Sequence, residues 1–160
     1  MSVTRLAWTV ALVLLALDQA SKYWVLSVME TYQRIPVLPF FDWVLLHNTG
    51  AAFSFLADFE GGQRWFLLGV AVVAVVIIQR WLRTATVPVA VMLGLILGGA
   101  IGNALDRAFL GSVTDFILLH YRGWYYPAFN VADIGITLGA VGLLYDGFKE
   151  WRRERTDDIS

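Results

Sequence analysis

The chain has 160 residues, 58% of them hydrophobic and 16% charged, with a mean hydropathy of +0.63; this is too apolar for an ordinary soluble domain and fits an integral membrane protein. Twelve basic residues stand against thirteen acidic ones, with no basic stripe interleaved with aromatics, which argues against a nucleic-acid partner. Cysteine is absent, which removes disulfides, thiolate metal sites and a cysteine nucleophile, and neither of the two histidines, His47 and His120, lies in a ligand motif such as HExxH, which argues against a zinc hydrolase.

The first apolar run spans about Arg5 to Met29. Its tail, Leu17 to Lys22, has no clean A-x-A site and further spans follow, so it reads as a retained span rather than a cleaved signal peptide. Asp18 and Lys22 are four residues apart and therefore stack on one helix face. Asp18 lies ~20 Å along the helix from Arg5, in the outer third of a hydrocarbon core of ~30 Å. Charges at that depth need partners, so the pair reads first as support for neighbouring groups.

The loop that follows, about residues 30–64, contains Val37 to His47, rich in Phe, Trp, Val and Leu. Pro36 and Pro39 mark its start and Asn48-Thr49-Gly50 closes it, which predicts one or two short strands ending in a turn. Such an apolar sheet would lie on the bilayer surface or cover a site, as a cradle or lid that excludes water. A second span covers Trp65 to Leu82 and a third Pro88 to about Leu110. The connection Thr84 to Val87 is short, which makes these two helices antiparallel neighbours. Gly94, Gly98, Gly99 and Gly102 give the third span small-xxx-small spacings for close helix approach. Beyond them come Asn103, Asp106 and Arg107, with Asn103 and Arg107 on one face. That arginine is placed to neutralise a carboxylate, bind a lipid phosphate or snorkel.

The remaining loop, about residues 111–130, carries Asp115 near its start, and the fourth span runs from about Val131 to Trp151. Asn130 and Asp133 at the head of that span have the spacing of a capping box. Residues from Thr156 to Ser160 read as a frayed polar tail. Arg5, Arg80, Arg83, Lys149, Arg152, Arg153 and Arg155 gather on one side of the four spans, so the positive-inside rule places both termini in the cytoplasm. Trp8, Trp81 and Trp151 mark the inner interface, and Trp24, Trp65 and Trp124 the outer one.

Asp115 and Asp133 thus face the same outer loop, where a carboxylate at a span boundary is a functional hypothesis. Each alone has an ordinary explanation, a solvated loop residue or a helix cap. Asp18, Lys22, Asn48, Asn103, Arg107 and Asn130 fall at the same membrane level, and one site accounts for that convergence. Two carboxylates at close quarters away from bulk water push their pKa values apart, so that one holds a proton while the other activates a water. Ser112 lacks a nucleophile elbow, and neither histidine has an evident serine partner. A small transporter using Asp18, Lys22, Asp106 and Arg107 as a relay would need polar groups through the full membrane depth, and the inner halves of the spans are nearly bare of them. A non-enzymatic scaffold would tolerate Asn at both Asp115 and Asp133.

Five ordered blocks resemble the bacterial lipoprotein signal peptidases, signal peptidase II: Asp18-Gln19-x-x-Lys22; Asn48-Thr49-Gly50-Ala51-Ala52-Phe53-Ser54; Gly98 through Arg107; Val113-Thr114-Asp115-Phe116; and Phe129-Asn130-Val131-Ala132-Asp133. Thr114 stands where the family more often has valine. The resemblance implies one all-α membrane domain over residues 1–160, a four-transmembrane-helix bundle with a small extracytoplasmic β-rich loop subdomain. It implies an aspartic endopeptidase of the bacterial inner membrane that cuts diacylglyceryl-modified prolipoproteins before the lipidated cysteine, as a monomer among membrane lipids and without a metal or other cofactor. By motif, Asp115 and Asp133 are the catalytic pair, Asn48, Gly50, Asn103, Arg107, Asn130 and Ala132 line or support the site, and Asp18 with Lys22 holds it together.

Overall fold

Four helices dominate the computed structural model, which describes residues 1–50 and 62–157: α1 (Val3–Val28), α2 (Gly62–Trp81), α3 (Val87–Leu110) and α4 (Val131–Asp157). Each is long and apolar enough to cross a membrane. The motif residues Ala51, Ala52, Phe53 and Ser54 lie outside the described residues, as do 158–160.

Capping chemistry sets the helix ends. Ser2 Oγ accepts the Arg5 N–H at 3.3 Å to open α1. Pro88 in the first turn of α3 supplies a fixed φ where its missing N–H costs nothing. Gly111, at φ +83°, closes α3 in the left-handed region and donates its N–H to Arg107 O at 3.2 Å. α4 runs to Asp157, past the apolar boundary at Trp151, so the segment expected to fray is helical at least that far. A run of good helix formers, Lys149 through Arg155, carries the helix on after the hydrophobic signal has stopped.

α3 is the spine. It packs chiefly on α1 and α4, with α2 against its other flank, and half of its spanning window is buried inside the protein. Apolar packing against lipid gives no net hydrophobic gain, so backbone proximity must supply the contact. A Cβ at Gly98 would stand 2.6 Å from Ala11 O, a distance no real side chain tolerates, so only glycine lets α1 come this close. Ala7, Ala11, Ala90, Leu93 and Leu97 form one buried core of the bundle together with Ile78 and Leu82. Trp8 Nε1 donates to Gln79 Oε1 at 3.1 Å and ties α1 to the otherwise lipid-facing α2.

At one end of the bundle lies a four-stranded antiparallel sheet in the order β1 (Arg34–Leu38), β2 (Phe41–Asn48), β3 (Val113–Tyr121) and β4 (Trp124–Tyr125). The first two strands answer the prediction for Val37 to His47. The other two correct the reading of residues 111–130 as plain loop: Asp115 sits inside a nine-residue strand, opposite Leu46. Val113 through Phe116 are all buried, so both faces of the strand's first half are covered and the alternation that announces a half-exposed strand is missing. The sheet docks on α1 through Trp43, whose ring meets Trp24 edge-on at 5.9 Å and stacks on Phe116 at 5.8 Å, over a core of Val25, Met29 and Leu45.

Candidate active site

Asp133 occupies the third position of α4 and closes a reciprocal capping box. Its N–H donates to Asn130 Oδ1 at 3.0 Å, and the Asn130 N–H donates back to Asp133 Oδ2 at 3.2 Å. Asn130 Nδ2 then reaches across to Asp115 Oδ1 at 2.7 Å. One asparagine therefore touches both aspartates, from helix and from strand. Asn48 Nδ2 holds the second Asp115 oxygen at 2.9 Å, and Asn103 Nδ2 holds Asp133 Oδ1 at 2.8 Å.

Beneath them lies a buried ionic cluster. Lys22 Nζ stands 2.9 Å from Asp18 Oδ2, 3.1 Å from Asp106 Oδ2 and 3.0 Å from Asn103 Oδ1, and all four side chains are buried. Each of these carboxylates also accepts a backbone N–H next to a focal aspartate. Asp18 Oδ1 takes that of Ala132 at 2.9 Å, and Asp106 Oδ2 takes that of Thr114 at 2.9 Å. A single lysine thus compensates two anions, and each anion anchors the residue preceding Asp133 or Asp115. In a bilayer core such an arrangement replaces the water that neither charge can reach.

Residues 10–149 match the family described as signal peptidase (SPase) II. The chain belongs to the signal peptidase II family. It is 47% identical over 161 residues to a lipoprotein signal peptidase of Pseudomonas syringae pv. tomato, covering 97% of this chain and 93% of that one. It is 49% identical over 156 residues to one from Pseudomonas putida, covering 94% and 91%. A solved structure described as a bacterial membrane enzyme, determined in meso at 2.3 Å resolution, superposes with a TM-score of 0.79 at 25% identity over 90% of this chain and 88% of that one.

In this signal peptidase II chain every residue singled out from sequence falls in or beside one constellation, with two qualifications. Arg107 makes no ion pair with a carboxylate among the described residues; its Nη1 donates to Asn103 O at 3.3 Å and its buried Nε lacks a partner. Of the carboxylates on this level, Asp18 and Asp106 have Lys22 as their contacting cation. Gly50 contributes backbone only: at φ +91° its N–H donates to Asn48 Oδ1 at 2.9 Å, which turns the Asn48 amide nitrogen toward Asp115. Asp106 and Gln19 were not among the expected site residues. Gln19 Nε2 donates to Asp18 Oδ2 at 3.0 Å and Asp106 Oδ1 at 3.1 Å. The available signal was that Asp106 lies three residues after Asn103, on the same helix face, within an apolar span.

Burial pushes the Asp115 carboxyl up to about 6; the Asp133 charge adds to the rise, while the Asn48 and Asn130 amides and Lys22 oppose it. An apolar groove of about 280 Å³ opens beside Asp133, lined by Leu119, Tyr126, Phe129, Ile134, Thr137 and Leu138. Among the described residues, no three of His, Cys, Asp and Glu are gathered to hold a metal ion. The site therefore offers two hydrogen-bonded carboxyls, one of them half-buried and reachable from an apolar groove.

Proposed function

We propose that this protein is an aspartic endopeptidase that removes signal peptides from diacylglyceryl-modified prolipoproteins, cutting on the N-terminal side of the lipidated cysteine, with Asp115 and Asp133 as the catalytic pair. The observation that carries this reading is the Asn130 amide side chain, which donates to Asp115 at 2.7 Å while accepting the Asp133 N–H at 3.0 Å. That bridge brings two carboxyls from different elements into one site and leaves an acidic group facing an apolar groove.

One carboxyl of the pair holds a proton while the other is ionised. The ionised member takes a proton from a water, whose oxygen attacks the scissile carbonyl. The protonated member donates a hydrogen bond to that carbonyl oxygen and then gives its proton to the departing amine as the C–N bond breaks. One water is consumed and the dyad returns to its starting charge. Asn48, Asn103 and Asn130 hold the carboxyls, Gly50 turns Asn48, and the Lys22 cluster with Asp18 and Asp106 fixes the adjoining backbone, including Ala132. Arg107, with a buried donor to spare at this level, orients the peptide segment near the cut.

The site lies toward the outer face of the inner membrane, with both termini cytoplasmic and the protein acting as a monomer among lipids. A signal-peptide helix and its acyl chains already reside in the bilayer, so a groove open to lipid meets them by lateral diffusion. The test is cleavage of a lipidated precursor by purified protein in detergent. Asp115→Asn and Asp133→Asn each abolish turnover while a chelator leaves the wild type unchanged. Retained cleavage in either variant, or chelator sensitivity, overturns the two-carboxylate mechanism.

A further inference from the structure

Asp42 is a carboxylate that the peptidase chemistry does not use, yet it is only 1% exposed. It lies on β2, and each of the other three strands adds a polar side chain beside it. Arg34 of β1 donates through Nε to Asp42 Oδ2, and His120 of β3 places Nε2 3.1 Å from Asp42 Oδ1. Tyr125 of β4 completes the set, its ring 5.5 Å from the His120 imidazole and 5.1 Å from the Arg34 guanidinium. The register explains the gathering: Asp42 pairs with Leu118 and His120 with Tyr125, and directly opposed residues share a face. One polar cross-tie therefore spans the sheet at the end away from Asn48 and Asp115.

The other face of the same strands builds the groove. Phe41 pairs with Leu119, and Tyr126 donates its N–H to Leu119 O at 2.9 Å. Leu119 and Tyr126 both line the apolar groove beside Asp133. Each is the chain neighbour of a cross-tie residue, so a shift of His120 or Tyr125 moves the groove wall. The β2–β3 register shifts between Trp43 and Leu46, so the ladder beside the dyad does not by itself fix this far end.

The tie has one variable member. Arg34 keeps its charge. Burial raises the Asp42 carboxyl, but the attraction of His120 and Arg34 more than offsets this and holds it below its ordinary 3.8, so it stays ionised. Imidazole is the side chain that changes charge between about pH 5 and about pH 8. His120 Nε2 is buried and off the line of a hydrogen bond to Asp42, so the neutral ring makes a loose contact where an imidazolium makes an ion pair. The groups facing the ring are Asp42 from β2, Arg34 from β1 and Tyr125 from β4; Arg122, in the turn after β3, sits over Tyr121 instead.

We propose that Asp42 and His120 are positioning residues for the substrate groove: their contact, closed when the imidazole carries a proton, holds Leu119 and Tyr126 in place against the precursor's apolar segment. That the groove receives a precursor rests on the function proposed above; the closing of the tie does not.

The test has two arms, both on the full chain in detergent at about pH 5.5 and about pH 7.5. Amide hydrogen exchange, corrected for the intrinsic rate, reports the tie alone. In the wild type the amides of residue 120 and Tyr126 are about five-fold better protected at the lower pH, the gain expected when a neutral contact becomes charge-assisted. In His120→Gln that dependence disappears, and His120→Arg protects at both pH values. Cleavage of a lipidated precursor reports the groove. Wild-type KM rises about five-fold from the lower to the higher pH, His120→Gln holds the high KM at both while its kcat keeps the wild-type pH profile, and His120→Arg restores the low one. His47→Gln, which removes the other imidazole, follows the wild type in both arms. Protection that does not change with pH in the wild type, or changes equally in His120→Gln, overturns the proposal, and so does a KM that ignores His120. Should His120→Gln fail to fold, wild type against His120→Arg carries the same comparison. The two readings fail apart: if Asp115→Asn still cleaves, the dyad falls, while the exchange result still upholds the cross-tie.

Discussion

Replacing Asn48 with alanine removes one of the two asparagine amides that favour the ionised form of Asp115. The hydrogen bond is 2.9 Å long and runs from a neutral donor to a carboxylate. Such bonds contribute about 1.5–3 kcal/mol, and since Asn48 is exposed, water recovers part of it, leaving about 1.4 kcal/mol, or one pKa unit. Losing a donor to the charged form disfavours that form, so the Asp115 carboxyl, already pushed up to about 6 chiefly by burial, moves to ~7. If the dyad works with one shared proton, the alkaline limb of kcat/KM, where that proton is lost, shifts upward by the same unit. The assay is cleavage of a lipidated precursor in detergent from about pH 5 to about pH 9. Stability follows the same linkage. Because the folded value lies above the ordinary 3.8, the group's contribution is fully present below 3.8 and lost as pH rises through about 6. In Asn48→Ala that loss extends to ~7. A limb that stays in place or moves to lower pH refutes the reasoning, whatever happens to the absolute rate.

Lys22→Met leaves Asp18 and Asp106 buried without their shared cation, and thermal unfolding in detergent shows a destabilisation of about 3–5 kcal/mol, with activity falling alongside. Gly102→Ala places a Cβ 2.5 Å from Asp18 Oδ2, whereas Gly69→Ala meets nothing within 4 Å. The first lowers stability by about 1–3 kcal/mol and impairs cleavage, and the second leaves both within error. Asp42 lies against Arg34 and His120, whose combined attraction outweighs a burial penalty that by itself raises its pKa, so the carboxyl lies below its ordinary 3.8. Its stabilisation is present above 3.8 and lost as pH falls through the lower folded value; Asp42→Asn therefore flattens the acid limb of a stability–pH curve measured on the purified protein.

The four spans were legible because each is a long apolar run, and Asn130 with Asp133 was legible because a capping box has a fixed three-residue signature. The strand carrying Asp115 was not. Thr114 and Phe116 are buried on one face and Val113 and Asp115 on the other, so the segment offers no alternation to detect. Asp106 was obscured for a different reason. Asp18 and Lys22 explain one another at four-residue spacing, which leaves no visible deficit to suggest a third charge. Only the fold brings α3 close enough for Lys22 to serve both acids, and that closeness depends on glycines whose spacing signalled helix contact without naming the partner. α4 continues past the apolar run that ends at Trp151 because helix propensity continues where hydrophobicity stops.

The sharing of Lys22 bears on how the chain is assembled. During synthesis α1 emerges first, and Asp18 and Lys22 within its apolar span offset each other within about one turn, so beyond Arg5 at its start it enters the bilayer without net charge. α3 arrives later bearing Asp106, and the cation that answers it belongs to a segment some eighty residues upstream in the order of translation. The early helix is thus a docking post for the late one. Insertion of α3 as an isolated segment should be poorer than its insertion in a chain that already holds α1, and glycosylation-site reporters flanking the segment would register the difference.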